Sequence, residues 1–130
     1  MAFFHLIDNF LKDGNMLFSD SMKKTSDFHN VYENGKSYAN KFLVVYVWEN
    51  GGSTNKLGIS CSKKIGNSIV RHRFARLVRE AYRLHENVFN SGLDIVVVAR
   101  ACAREASYHE IEESLLSLAG KARIRKNGGE

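Results

Sequence analysis

The segment "KKIGNSIVRHRFARLVREAYR", which begins at Lys63, carries seven lysines and arginines and a single acid, Glu80. At about 100° per residue it reads as a helix with two opposed faces. Val70, Phe74, Leu77, Ala81 and Val88 fall on one side. His72, Arg76, Arg79 and Arg83 form a narrow stripe opposite, flanked by Arg71 and Arg73. The outer face of an ordinary amphipathic helix mixes its charges. Arginines three and four residues apart repel one another, so a stripe of one sign is unfavourable until an anion neutralises it. The chemistry on offer is phosphate recognition, because a planar guanidinium presents a fork of N–H donors to phosphate oxygens and can also stack on bases.

The rest of the chain does not share this charge. Its 130 residues carry a net charge of +5. Eight basic residues and one acid lie between Lys56 and Arg83, whereas the other residues hold eleven basic and thirteen acidic groups. The excess therefore belongs to one segment, and a polyanion is its natural partner. Nucleic acid fits better than a membrane, since no long apolar stretch accompanies the charge. A protein nuclease would need placed acid–base groups or a carboxylate cluster holding metal. His5, His29, His72, His85 and His109 form no ligand spacing, and Glu110, Glu112 and Glu113 fit a solvated helix face. No catalytic residue and no protein-held metal are expected. Cys61 and Cys102 lack partners at metal-ligand spacing and point to reduced thiols in a cytoplasmic protein.

The elements that must position the stripe are legible as α/β. "TSDFHNVYENG" reads as a short helix, with Thr25 or Ser26 at its cap, Phe28, Val31 and Tyr32 on one face and Gly35 at its end. "KSYANKFLVVYVWEN" reads as a strand, sending Phe42, Val44, Tyr46 and Trp48 to one face and Leu43, Val45 and Val47 to the other. "GGSTN" is a turn signal that predicts a hairpin with "KLGISCS", whose Gly58, Ser60 and Ser62 make a small-residue face open to close approach. Asn67 is a suitable cap for the basic helix. "GLDIVVVAR" has the continuous apolar run of a buried strand, and Ser107 caps a last helix with Ile111, Leu115 and Leu118 inward. Residues 1–21 read as an extension, residues 22–126 as one domain and residues 127–130 as a tail. Within the extension, Phe3, Ile7, Phe10 and Leu11 either form a docking face or precede a start at Met16.

"LGISCSKKIGNSIVRHRFARLVREAYR" closely resembles the signature of the protein subunit of bacterial ribonuclease P, in which a small-residue strand leads through Lys-Lys-Ile-Gly-Asn into an arginine-rich helix. "SDFHNVYENGKSYAN" and "GLDIVVVAR" extend the match, so that it spans roughly residues 22–124. The resemblance implies an α+β sandwich in the order αβββαβα, with a four-stranded sheet and a left-handed crossover through the basic helix. Physical precedent alone favours the right hand. It implies a partner, the large catalytic RNA, and a role in removing the 5′ leader of precursor transfer RNA, with the chemistry carried by the RNA and its Mg²⁺. Lys63, Lys64, Asn67, Arg71, Arg73, Arg76 and Arg79 match family positions for RNA contact, with His72 among them; Arg83 rests on helical geometry. Phe28, Tyr32 and Tyr46 align with the aromatic groove that receives the single-stranded leader, while Phe42 and Trp48 are left to packing. Two other readings compete: a stand-alone RNA-binding module of ribosomal type, and a nuclease using His72. Cleavage assayed with and without a catalytic RNA separates the three.

His72 stands where the family usually has asparagine. Either side chain can donate and accept a hydrogen bond. Bound phosphates favour the imidazolium, so RNA affinity is expected to rise as pH falls from about 8 to 6, around the ordinary histidine value. His72→Asn should preserve binding at neutral pH and flatten that rise. Parallel affinity curves for the two proteins across this range would reduce His72 to a stand-in for asparagine.

Overall fold

The apolar run Leu93–Ala99 takes the centre of the sheet. The structure, a computed structural model, describes residues 19–126. The apolar pattern over Phe3 to Leu11, the alternative start at Met16 and the tail lie outside these residues. The chain runs through β1 (Ser19–Ser21), α1 (Thr25–Asn34), β2 (Lys36–Ala39), β3 (Leu43–Glu49), β4 (Asn55–Ser60), α2 (Ser68–Leu84), β5 (Leu93–Ala99) and α3 (Tyr108–Lys121). Short 3-10 turns at Glu86–Val88 and Ala101–Glu105 flank β5. The sheet has five strands in the order β1-β4-β5-β3-β2, rather than the expected four. The extra strand is β1, three residues of the segment read as an extension, paired in parallel with β4 from Ser19↔Asn55 to Ser21↔Leu57.

The expected hairpin between β3 and β4 does not form, because β5 lies between them. β5 pairs antiparallel with β3, Leu43↔Ala99 through Glu49↔Leu93, and parallel with β4, Lys56↔Asp94 through Ser60↔Val98. A strand that is apolar on consecutive residues needs cover on both faces and neighbours on both edges, and the centre of the sheet supplies them. The loop after β3 passes over the start of β5. Asn50 N–H donates to Gly92 O at 2.9 Å, and Asn50 Nδ2 donates to Asp94 Oδ1 at 2.8 Å. The hairpin present instead is β2–β3, from Lys36↔Val47 to Ala39↔Val44. The single long strand read from "KSYANKFLVVYVWEN" is thus two strands. Asn40 makes the turn, its Oδ1 accepting from Phe42 N–H and Leu43 N–H at 3.0 Å each. Phe42 consequently leaves the alternation of β3 and packs with the main core instead of beside Tyr46 and Trp48.

Each face of the sheet has its own cover. Leu43, Val45, Leu57, Ile95 and Val97 form the floor on which α2 and α3 pack. On the other face Val96 packs with Met22 and with Val31 of α1, and Phe28, Tyr46, Trp48 and Val98 close around them. Lys24 stands at the N-cap of α1 and makes no side-chain cap bond, so neither Thr25 nor Ser26 plays that part. It ends at Gly35 as expected. The reason is space: a Cβ there would lie 2.6 Å from Val31 O and 2.7 Å from Val47 O. Helix α3 opens on a reciprocal cap in which Ser107 Oγ accepts from Glu110 N–H at 3.1 Å and Glu110 Oε1 accepts from Ser107 N–H at 2.9 Å. Its Ile111, Leu115 and Leu118 are fully buried, as their spacing requires.

A polar cluster on α3 ties it to the end of α2. The Glu112 carboxylate accepts from His85 Nε2 at 2.6 Å and from Tyr108 OH at 3.4 Å, with His109 Nδ1 at 3.3 Å from its other oxygen. The bond from His85 is the main cause that holds the Glu112 carboxyl below its ordinary value of 4.5. Burial, and then the charge of Glu112, push the Tyr108 phenol up to about 12. A carboxyl lowered in the folded state contributes stability that is complete above about 4.5 and is lost as pH falls through the lowered value. Glu112→Gln is therefore expected to destabilise the domain by about 1–2 kcal/mol at pH 7. In urea titrations the gap from the parent protein should close as the solution is acidified below the carboxylate range. A gap that stays constant with pH would show that the Glu112 charge is not what holds the joint.

Candidate nucleic-acid interface

Helix α2 is capped where its sequence indicates, with Asn67 Oδ1 accepting from Val70 N–H at 3.0 Å. Its buried face is not the one expected. Phe74, Val78, Ala81 and Tyr82 face the core, while Val70 and Leu77 are only partly covered. Against the expected set of Val70, Phe74, Leu77 and Ala81, the helix is turned by roughly half of a 100° residue step. Tyr82 accounts for the difference. It is fully buried, and its OH lies 2.8 Å from Ser19 Oγ and accepts from Asn55 Nδ2 at 3.2 Å. Burial pushes its phenol above the ordinary value. Asn55 Nδ2 also donates to Asn90 O at 2.7 Å, and Asn55 Oδ1 accepts from Leu93 N–H at 2.9 Å. One amide thereby joins β1, β4, α2 and the entry to β5.

The rotation sorts the cations. Lys63, Lys64, Asn67, His72, Arg73 and Arg76 are exposed, and Arg71 and Arg79 are half-buried. Arg83 is 7% exposed. Its periodic position matches the stripe, but the last turn of α2 is folded against the chain that follows, and Glu86 there is also buried. The expectation that Arg83 extends the exposed stripe is therefore corrected. Arg71 lies close enough to Cys61 to favour its thiolate, although burial outweighs this and pushes the Cys61 thiol up. Arg71 Nε is buried without a hydrogen-bond partner among the described residues. Ile69, in the first turn of the helix, is 76% exposed and shares the outward side with Arg73 and Arg76.

The entry to α2 is held by the turn after β5. Arg104 Nη1 donates to Ile65 O at 2.7 Å, and in the opposite direction Arg73 Nη2 donates to Ala106 O at 2.8 Å. Sequence reasoning passed over Arg104, since a lone arginine after a strand carries no periodic signal.

The three aromatic residues meet on the other face of the sheet. The Phe28 and Tyr32 ring centroids are 6.4 Å apart, and Tyr32 and Tyr46 make an edge-to-face pair at 4.9 Å. Tyr32 is 38% exposed, and Phe28 and Tyr46 are half-buried. Gly58 makes room for this group. A Cβ there would stand 2.8 Å from the Phe28 ring and 3.0 Å from Met22 Sδ. The small-residue face of β4 thus admits an aromatic ring. Trp48 packs in the same apolar cluster, in line with the packing role expected for it. Among the described residues, no group of three or more His, Cys, Asp or Glu side chains could hold a metal ion, and no helix is long and apolar enough to cross a membrane.

Comparison with known proteins covers nearly the whole described chain. Residues 17–123 match the family model described as Ribonuclease P. The ribonuclease P protein component of Lachnoclostridium phytofermentans is 58% identical over 101 residues, covering 78% of this chain and 87% of that one. The ribonuclease P protein component of Clostridioides difficile is 43% identical over 104 residues, covering 79% and 91%. Among solved structures, the RNase P protein of Staphylococcus aureus superposes with a TM-score of 0.76 at 34% identity, covering 82% of this chain and 97% of that one. The RNase P protein of Thermotoga maritima gives 0.71 at 31% identity, covering 76% and 94%. An arginine-rich helix over the sheet of an α+β fold, a family match from one end of that sheet to the other, and a shared fold at such identities lead to one conclusion: the chain belongs to the ribonuclease P protein family.

Proposed function

We propose that this protein, the RNA-binding subunit of a ribonuclease P, grips its catalytic RNA with Lys63, Lys64, Asn67, Arg71, His72, Arg73, Arg76 and Arg79, and receives the precursor's 5′ leader on Phe28, Tyr32 and Tyr46. The observation that carries the first part is the exposed and half-exposed cationic set on α2 and its entry loop, opposite the buried Phe74, Val78, Ala81 and Tyr82. Arg83 is left out because it is buried. Phosphates of the RNA relieve the repulsion among these cations, and release of condensed counterions makes the binding steeply salt-dependent. Mg²⁺ supplies its chemistry through the RNA subunit, and the chain's own side chains bind and orient the two RNAs. The working compartment we assign is the cytoplasm.

The aromatic trio supports the second part. Two rings at 4.9 Å and a third at 6.4 Å form a partly exposed platform that an unpaired base can stack on. It lies across the sheet from the cations, so catalytic RNA and leader would approach different sides of one rigid layer.

Arg76→Glu combined with Arg79→Glu is expected to weaken binding to the catalytic RNA by roughly tenfold or more and to flatten its salt dependence, with the fold intact. Normal binding by this double variant across a salt titration would remove α2 from the interface. Cleavage of precursor transfer RNA should require the RNA subunit, and cleavage by the protein alone would overturn the division of labour. Phe28→Ala or Tyr46→Ala should cost about 1–3 kcal/mol in affinity for leader-bearing precursor. Mature transfer RNA should be little affected; equal losses for both species would make the trio a packing feature.

A further inference from the structure

The 3-10 turn Ala101–Glu105 lies outside the segment that carries the chain's excess charge, yet the fold places it against the start of α2. Arg104 is exposed, and the one side-chain hydrogen bond it makes among the described residues is the 2.7 Å donation from Nη1 to Ile65 O. The same Nη1 would stand 2.8 Å from a Cβ on Gly66, so the guanidinium rests directly on the loop that carries Lys63 and Lys64. The return bond from Arg73 Nη2 to Ala106 O makes the attachment reciprocal. A guanidinium has five N–H donors in a fixed plane. With one of them spent on a carbonyl, the side chain has lost much of its rotamer freedom and still has donors for an anion. An arginine held this way pays little further ordering cost when it meets a phosphate.

We propose that Arg104 is a further contact for the catalytic RNA, carrying the cationic surface of α2 across the Lys63–Asn67 loop onto the turn after β5. This rests on the reading of α2 as the RNA-binding helix and adds a residue to it from a different part of the chain. The partner is RNA backbone rather than leader, because Arg104 adjoins α2 and its entry loop, across the sheet from the aromatic trio. The competing role is purely mechanical, with Arg104 clamping the loop through Ile65 O and touching no RNA.

Arg104→Gln removes the charge and, its amide being too short to reach Ile65 O, the clamp as well, so the salt slope rather than the affinity separates the two roles. Binding of the full chain to the catalytic RNA would be titrated with salt for the parent protein, Arg104→Gln, Arg104→Lys and the Arg76→Glu, Arg79→Glu double variant. A phosphate contact predicts that Arg104→Gln lowers the log–log salt slope by about 0.7 to 0.9 and weakens binding several-fold at low salt. Arg104→Lys should keep the slope. If Arg104→Gln keeps the parent's slope, whatever its affinity, while the double variant is impaired, the inference about Arg104 fails and the reading of α2 stands. If the double variant itself binds normally, the reading of α2 fails and takes Arg104 with it.

Discussion

Cations of one sign can be held in a row only if something else fixes the element that bears them. Each like-charged pair three or four residues apart destabilises an isolated helix by about 0.2–0.5 kcal/mol. Burying one large apolar side chain contributes about 1.5–3 kcal/mol. In α2 the fully covered Phe74, Val78 and Tyr82, with Ala81 between them, outweigh the repulsion among Arg71, Arg73, Arg76 and Arg79. The rest of the architecture follows from supplying a surface for that inner face. Leu57, Ile95 and Val97 provide the floor, and α3 closes the side with Ile111, Leu115 and Leu118. The positive field that would attract RNA is thus sustained by packing energy on the far side of the same helix.

The sheet also acts as a partition. β5 is buried on both faces, with Ile95 and Val97 beneath α2 and α3 and Val96 beneath α1. Because successive side chains of one strand alternate, the aromatic surface lies directly on one face of the sheet while the cations lie beyond the other, on the outer side of α2, so the sheet and one packed helix set the distance between them. Gly58 shows how closely the aromatic side is fitted, since even a methyl group would collide with the Phe28 ring. Such a stiff separation keeps the two surfaces in a fixed relation, as errors in relative position do not accumulate through flexible connections.

Polar side chains hold the corners where apolar packing cannot reach. Asn55 satisfies Leu93 N–H and Asn90 O while also reaching Tyr82 OH, and Tyr82 in turn meets Ser19. This network is buried, and a buried amide or phenol left without partners is costly, so its members enforce one another's positions. It also fixes the rotation of α2, because Tyr82 can reach Asn55 only when Val78 and Phe74 turn inward with it.

Local patterns carried much of this molecule in plain view. The opposed faces of the basic helix, the Asn67 and Ser107 caps, the alternation of Leu43 and Val45 against Tyr46 and Trp48, and the resemblance to ribonuclease P proteins all depend on residues close together in the chain. What the tertiary structure decided depends on partners far apart. "GGSTN" between two strands is a hairpin signal, but the central place demanded by the apolar run of β5 separates β3 from β4, and strand order is a competition that no single segment records. The Asn40 turn divided what read as one strand and moved Phe42 to the other side of the sheet. Arg83 and Arg76 are indistinguishable by helical period, yet one is buried and the other exposed because the end of α2 folds against the following chain. Arg104 acquires a place beside Lys63 and Lys64 only when β5 delivers it there, through a contact 39 residues distant in sequence. Periodicity settles which face of an element is apolar; the rotation of that face, its neighbours and the side chains brought in from elsewhere are settled by burial and hydrogen bonding between distant segments.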